Sequence, residues 1–292
     1  MEAAAAYATC GTCPHHCRLA PGRLGACRAR RNVGSAVVPA NYGRVTSLAL
    51  DPIEKKPLAR YRPGTLVVSA GSFGCNLRCP FCQNAEISQA DDAGVPWREI
   101  APDELVAITR DARDRDGRVI GIAYTYNEPL VGWEYVRDCA RLAHEAGLVN
   151  VLVSNGCVEP SVLDGLAGLI DAANIDLKGF TDGFYDACGA PAHALSRVKG
   201  AIARLAADPA CHLEVTTLVV PGMNDTEEEI DAMARWLASL DEGRGRNTVT
   251  YHVTRFFPRW RLTDRGPTPV DTVYRLADVA RRHLEHVYTG NC

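Results

Sequence analysis

The chain has 292 residues, 47% hydrophobic and 23% charged, with a formal net charge of -3. That length suits one large α/β domain or two ordinary ones, and the near-balanced charge supplies no global field for nucleic acid or an anionic membrane. The longest apolar runs, such as LVVSA and HLEVTTLVV, are strand-sized, which excludes a membrane span as the reading of either.

In chain order, the opening MEAAAAYATC lacks the basic and long apolar regions of a signal peptide, so a cytoplasmic protein is expected. Twelve cysteines are many for a reducing compartment, where clusters of them point to metal or catalysis rather than disulfides. Residues 10–34 are rich in Cys, Gly and Arg and show little periodicity. Cys10, Cys13, Cys17 and Cys27 stand at C-x2-C-x3-C-x9-C, and four thiolates can complete a metal site. Zinc would fix an otherwise coreless segment, whereas an iron–sulfur cluster could relay electrons; His15 or His16 can replace one cysteine. Residues 35–50 read as a hairpin turning at Asn41-Tyr42-Gly43, followed by the Pro-punctuated connection DPIEKKPLARYRPG. Its Lys55 and Lys56 form a solvated face or attract an acidic substrate or partner. Residues 1–64 are therefore expected to be a Cys-rich metal-binding extension with a hairpin, and residues 65–292 the main domain.

From residue 65 a regular alternation begins. Strands are expected at 65–70, 119–125, 148–154, 173–177, 212–220 and 248–253, with helical patterns between them. Pro102 opens one helix, Gly147 follows the end of the next, SVLDGLAGLIDAA and AHALSRVKGAIARLAAD continue the series, Thr226 and Glu229 have capping-box spacing, and a last helix covers about 270–285. Strand–helix repeated about six times means parallel strands with right-handed crossovers. An open doubly wound sheet and a partial barrel both satisfy that pattern. No G-x-G-x-x-G follows the first strand, which argues against dinucleotide binding. In both architectures ligands sit beyond the carboxyl ends of the strands.

GCNLRCPFCQN, residues 74–84, follows the first of these strands directly. Cys75, Cys79 and Cys82 can hold three corners of a cubane cluster, leaving the fourth iron open to a small molecule. A three-Cys zinc site completed by a distant His or Cys is the alternative, and metal-free thiols a further one. The isolated Cys139, Cys157, Cys188 and Cys211 read as small buried apolar residues.

At C-x3-C-x2-C the chain resembles the radical S-adenosylmethionine (SAM) enzymes. CGTCPHHC, DPIEKKPL, GCNLRCPFCQNAEIS, YTYNEP, NIDLKGF, EVTTLVVPGMND and RFFP…PTP occur in order. Together they look like the AmmeMemoRadiSam system branch, related to the pyruvate formate-lyase (glycyl radical enzyme) activating enzymes. The resemblance implies an α/β fold, a partial (β/α)6 TIM-type barrel with the N-terminal Cys-rich extension. It implies a [4Fe–4S] cluster on Cys75, Cys79 and Cys82, with SAM chelated to the open iron by its amino and carboxylate groups. One electron then cleaves SAM to methionine and a 5′-deoxyadenosyl radical, which abstracts hydrogen from a substrate.

The same resemblance carries roles to strand ends, each beside a plainer reading. Glu128 in YTYNEP would receive the SAM ammonium, or it is part of a turn before Pro129; Tyr126-Asn127 stand where the wider superfamily often has Gly-Gly. Ser154 and Asn155 would bind SAM ribose or carboxylate, or Asn155-Gly156 is simply a turn; Val153 replaces an Asp of related enzymes. Asp176 and Lys178 would contact SAM or substrate, or pair locally. His252 matches a SAM-contacting His, or is a core histidine satisfied by hydrogen bonds. Met223 and Asn224 are exposed candidates on a loop that approaches SAM. The implied partners are an electron donor such as flavodoxin or ferredoxin, and a protein substrate or Memo-like and AMMECR-like proteins. Beyond the ending YTGNC, members of the branch carry a short Cys-containing tail. Protein activation by hydrogen abstraction from a glycine and modification of a small-molecule metabolite both stay open. A non-catalytic zinc- or cluster-binding interaction module would require Glu128, Asn155 and Asp176 to be coincidental.

Overall fold

A computed structural model describes residues 6–241 and 249–292. The first five residues, on which the signal-peptide reading draws, and Thr248, the first residue of the expected sixth strand, lie outside the described residues.

The main sheet is built from strands β1 (Ser47–Pro52), β2 (Leu66–Gly71), β3 (Val119–Tyr124), β4 (Val149–Ser154), β5 (Ala172–Asp176), β6 (His212–Val219), β7 (Thr250–Arg255) and β8 (Val287–Gly290). Their spatial order is their chain order, from β1 at one edge to β8 at the other. β2 to β8 are successively parallel, while β1 runs antiparallel to β2. The edges β1 and β8 do not pair with each other, so the curved sheet is an open, partial barrel. Helices α1 (Ala85–Ser88), α2 (Pro102–Arg115), α3 (Trp133–Glu145), α4 (Pro160–Asp164), α5 (Asp182–Ala187), α6 (Ala194–Ala207), α7 (Glu227–Ser239) and α8 (Val270–Ala280) lie in the connections.

Each of the six expected strands appears within two residues of its expected limits. Two strands of the sheet escaped the pattern. β8 has only four residues, too few for a period to register. β1 overlaps the end of the segment read as the 35–50 hairpin, which does not form. The hairpin instead pairs Arg30–Val33 with Ala36–Pro39, turning at Gly34 and Ser35, which both take positive φ. Gly43 lies where Arg44–Val45 leaves to pair with Arg98–Glu99. The helix expected over SVLDGLAGLIDAA stops after Asp164, and Gly168 with its positive φ turns the chain toward β5. The α7 capping box is half made: Thr226 Oγ1 accepts the Glu229 N–H at 3.2 Å, but the Glu229 carboxylate turns away to accept the Phe180 N–H at 2.6 Å.

Alternation along β2–β7 divides the core. One face packs against the helices through Val68, Ile122, Leu152, Ile175, Val215 and Tyr251 among many others. The other faces the barrel interior, where Val67, Ala123, Val151 and Ala172 meet Ile53 and Leu58 from the connection after β1. Polar residues pin that connection inside: Asn174 Nδ2 donates to Pro57 O at 2.9 Å, and the Ala59 and Arg60 N–H groups donate to the Glu214 carboxylate at 2.9 and 2.8 Å. So EKKP is not simply a solvated face. Lys55 is 70% exposed at its side chain, but Lys56 is 3% exposed and paired with Asp51.

The parallel order sends every βα connection from β2 to β5 to one rim of the barrel. That rim carries the motifs.

Candidate active site at the carboxyl rim of the barrel

The loop after β2 holds Cys75, Cys79 and Cys82. It keeps its shape through the TYNEP turn after β3. Ser72 N–H donates to Asn127 Oδ1 at 3.0 Å, and Asn127 Nδ2 donates to the carbonyls of Phe73 and Gly74 at 3.1 and 3.0 Å. Asn84 Nδ2 donates to Tyr126 O at 2.8 Å from the far end of the loop. Tyr126 takes φ +73°, a region that favours glycine, and is retained there by its hydroxyl bond to Asp51 at 2.6 Å. The side chains of Tyr126 and Asn127 thus clamp the turn from both sides.

The structure brings Glu128, Ser154 and Asn155 together. Glu128 is 2% exposed, and its carboxylate accepts from Leu130 N–H at 2.9 Å, Ser154 Oγ at 2.7 Å and Asn155 N–H at 2.7 Å. Burial pushes this carboxyl up to about 7, against the pull of those donors. Asn155 Nδ2 reaches Asn76 Oδ1 at 2.9 Å and Cys75 Sγ at 3.6 Å, so the three residues abut the first cysteine. Asp176 and Lys178 form the 2.8 Å ion pair of the plainer reading, and they lie beside the second cysteine, Cys79. His252 is held apart from the loop. Its Nε2 lies 2.5 Å from Glu214 in the barrel interior, and its ring stacks on Tyr288. Asn224 is buried rather than exposed; it accepts from Val220 N–H and donates to the carbonyls of Lys178 and Leu218, while Met223 is half-buried against the core.

The three cysteines are close enough for charge on Cys79 and Cys82 to be felt at Cys75. Leu77 N–H donates to Cys75 Sγ at 3.3 Å, and the Ser88 hydroxyl lies 3.2 Å from Cys82 Sγ. Among the described residues, no three His, Cys, Asp or Glu side chains close round a single metal ion. A cluster asks for something different, since each thiolate takes a separate iron, and N–H and O–H donors on the sulfurs suit it. The three thiols and the donors on their sulfurs fit an iron–sulfur cluster.

Sequence reasoning missed several residues of this site. Cys188, read as a small apolar residue, is fully buried with its thiol against that of Cys79, and its carbonyl accepts the Arg78 N–H at 2.6 Å. The contact lowers the Cys79 thiol pKa and raises that of Cys188. Arg28 crosses from the amino-terminal segment to the carbonyls of Cys75 and Ser88 and to Gln89. Asn76 fastens the loop to Cys157 O at 2.6 Å. No short-range pattern flags these contacts, which join distant parts of the chain; only the position of Cys188 just beyond DLK hints at one of them.

The family profile of the Radical SAM superfamily matches residues 71–237, more than half of the chain and the whole of this rim. The chain belongs to the radical SAM superfamily. An uncharacterised protein of Methanocaldococcus jannaschii is 38% identical over 283 residues, covering 97% of this chain and 80% of that protein. The pyruvate formate-lyase 1-activating enzyme of Escherichia coli K12 is 23% identical, covering 61% of this chain and 71% of that enzyme. Among solved structures, a radical SAM methyltransferase from Sphaerobacter thermophilus aligns with TM-score 0.56 and 18% identity, covering 78% of this chain and 67% of that one; it shares the fold. The radical SAM family implies an enzyme that uses a [4Fe–4S] cluster and SAM. Among the described residues no helix is long and apolar enough to cross a membrane.

The amino-terminal cysteines form a second group. Cys10, Cys13 and Cys27 are buried and Cys17 half-buried. Burial pushes the Cys13 and Cys27 thiols up to about 12 and about 11. His15 and His16 do not join them: His15 Nε2 faces Asn76 O at 2.9 Å, and His16 pairs with Glu159 at 3.2 Å.

Proposed function

We propose that Cys75, Cys79 and Cys82 ligate the [4Fe–4S] cluster and that the radical made beside them acts on a protein, as in the activating enzymes. The cluster, when bound and reduced, supplies the electron that cleaves SAM to methionine and the 5′-deoxyadenosyl radical. The chain's own residues bind and orient. Ionised Glu128, with lone pairs to spare beyond its three donors, takes the SAM ammonium. Ser154 and Asn155 hold Glu128 in place and tie it to the cysteine loop. Asp176 and Lys178 contact SAM or substrate on the Cys79 side, and His252, oriented by Glu214, faces the interior from β7.

The observation that carries the protein-substrate reading is the open side of the barrel. β1 and β8 leave two unpaired strand edges, with Leu48, Leu50 and Tyr288 exposed on them. An extended segment of a partner can enter there, which an enclosed small-molecule site would not need. The electron donor is of the flavodoxin or ferredoxin class, and the AmmeMemoRadiSam resemblance points to Memo-like or AMMECR-like proteins as associates.

The test is anaerobic reconstitution with iron and sulfide, reduction, and addition of SAM. 5′-Deoxyadenosine should form, and Cys79→Ala should abolish cluster and product together. With a partner protein present, a carbon-centred radical signal on that partner is expected. Turnover coupled to a metabolite, with no protein radical, would overturn the protein-substrate reading and favour small-molecule modification.

A further inference from the structure

The loop after β7 is closed at its base and fixed to the cysteine loop. Phe256 N–H donates to Thr268 Oγ1 at 3.2 Å, and Thr268 N–H donates to Phe256 O at 3.1 Å. The Thr268 hydroxyl donates to Val219 O at 2.6 Å, tying that base to the end of β6. A loop whose ends are joined holds its surface ready for use. Phe256 and Leu262 are its buried side chains, and the Phe256 ring meets Phe81 edge-on at 6.4 Å. The Arg261 and Leu262 N–H groups both donate to Pro80 O, at 2.9 and 3.0 Å. Pro80 follows Cys79 directly in the chain, and Phe81 precedes Cys82.

The other side of the loop carries Phe257, Arg259, Trp260 and Arg261, all exposed. Arg259 and Leu262 exchange backbone hydrogen bonds at 3.3 and 3.0 Å, which leaves Trp260-Arg261 as a two-residue turn. Trp260 takes φ +51°, at a position where such turns favour Gly or Asn. Holding a bulky side chain there costs stability, and strain of that sort points to a function. The Arg261 guanidinium lies over the Trp260 ring at 4.4 Å, and that of Arg255 over Phe257 at 4.8 Å. Asp264 is the one carboxylate between residues 255 and 266, and it pairs with Arg265. Among the described residues Arg259 and Arg261 pair with no carboxylate, so the tip is a local positive patch on a chain of net charge -3.

We propose that this tip is the docking surface for the one-electron donor, and that the electron enters the cysteine loop at Pro80. The proposal rests on the reading of Cys79 and Cys82 as cluster ligands. Trp and Arg side by side are the residues that carry most of the energy of protein interfaces. Their positive charge selects and steers a donor with an acidic surface, of the flavodoxin or ferredoxin class. Electron-transfer encounters are small, burying less than about 1,200 Å². A short tip suits such a partner, which must leave after each electron, whereas the substrate has the open strand edges. The donor is oxidised by one electron and the barrel cluster is reduced from 2+ to 1+. No atom or proton is transferred.

The reconstituted full-length chain is titrated with flavodoxin, and the dissociation constant is read from flavin fluorescence at low and high ionic strength. Binding should weaken as salt rises. Arg259→Glu/Arg261→Glu should weaken it about tenfold or more at low salt and flatten the salt dependence. Trp260→Gly should weaken it about tenfold yet melt no lower than the wild type, because Gly takes a positive φ without strain. Reduction of the cluster by flavodoxin hydroquinone, followed by stopped-flow absorbance, should slow in both variants. Dithionite, which needs no docking surface, should reduce wild type and variants alike. Unchanged affinity in both variants, or no binding to the wild type, overturns the proposal. Loss of dithionite reduction in the variants would make the tip a structural support of the cysteine loop and overturns it as well. So would intact flavodoxin binding with loss of the radical on a substrate protein, which would give the tip to the substrate. If docking behaves as expected but the dithionite-reduced wild type forms no 5′-deoxyadenosine, the barrel reading fails instead.

Discussion

Glu128 lies at the meeting point of three connections. A carboxylate that is buried, already triply bonded and raised to about 7 is an expensive group to keep unless a cation completes it. Glu128→Gln keeps the size and some of the hydrogen bonds but removes the charge. SAM affinity should fall about 10- to 100-fold, the worth of a charge-assisted bond, as measured by equilibrium binding to the reconstituted protein. Unchanged affinity would remove Glu128 from the SAM site. Glu214 is a different kind of buried carboxylate. Burial would raise it, but His212, His252 and the N–H groups of Arg60 and Ala59 together hold it down at about 2, against an ordinary 4.5. Between those values the folded state binds fewer protons than the unfolded one. Its contribution is therefore present above about pH 4.5 and is lost as pH falls toward about 2. Glu214→Gln should cost about 3 kcal/mol at neutral pH and flatten that acid limb, as read from denaturant titrations across the range. A parallel loss of stability at every pH would mean that the charge is not what matters.

At the scale of elements, the decisive contact is between the cysteine loop after β2 and the segment around Cys27. Gly74 sits there at φ +85°, with Cys27 O and Ala29 Cβ where a side chain would go. Gly74→Ala meets both obstacles, conformational and steric. A loss on the order of 3 kcal/mol is expected in chemical denaturation, with weaker cluster retention, because the loop must back away from its neighbour. The six expected strands were legible because each is a β-rich apolar run of ordinary length. β1 and the true hairpin were not, because Ser47–Pro52 carries exposed Leu48 and Leu50 and its partner is chosen by the sheet edge. The contacts among the candidate residues were not legible: Ser154 and Asn155 were marked for SAM, yet nothing local says that they bind Glu128.

Across the whole molecule, the barrel strands and the cysteine-bearing segments should differ in what holds them. Parallel neighbours, buried on both faces, hold the barrel, whereas residues 10–27 and 72–90 contain little regular structure. Removing iron from the reconstituted protein with a chelator should raise hydrogen exchange in residues 72–90 while β3 to β7 stay protected. Uniform loss of protection would mean instead that the cluster holds the barrel together. The sequence by itself determined the local matter: the repeating strands and helices, the C-x3-C-x2-C spacing, and the residue types at each strand end. Those follow from periodicity and from steric rules acting over a few residues. Only the tertiary structure decided which of them meet. The parallel order puts the ends of β2, β3, β4 and β5 on one rim, so that Glu128, Ser154 and Asn155 close on Cys75, Cys188 faces Cys79, and Cys27 bonds Cys75. Those contacts depend on strand order and loop docking, which no short window of the chain contains.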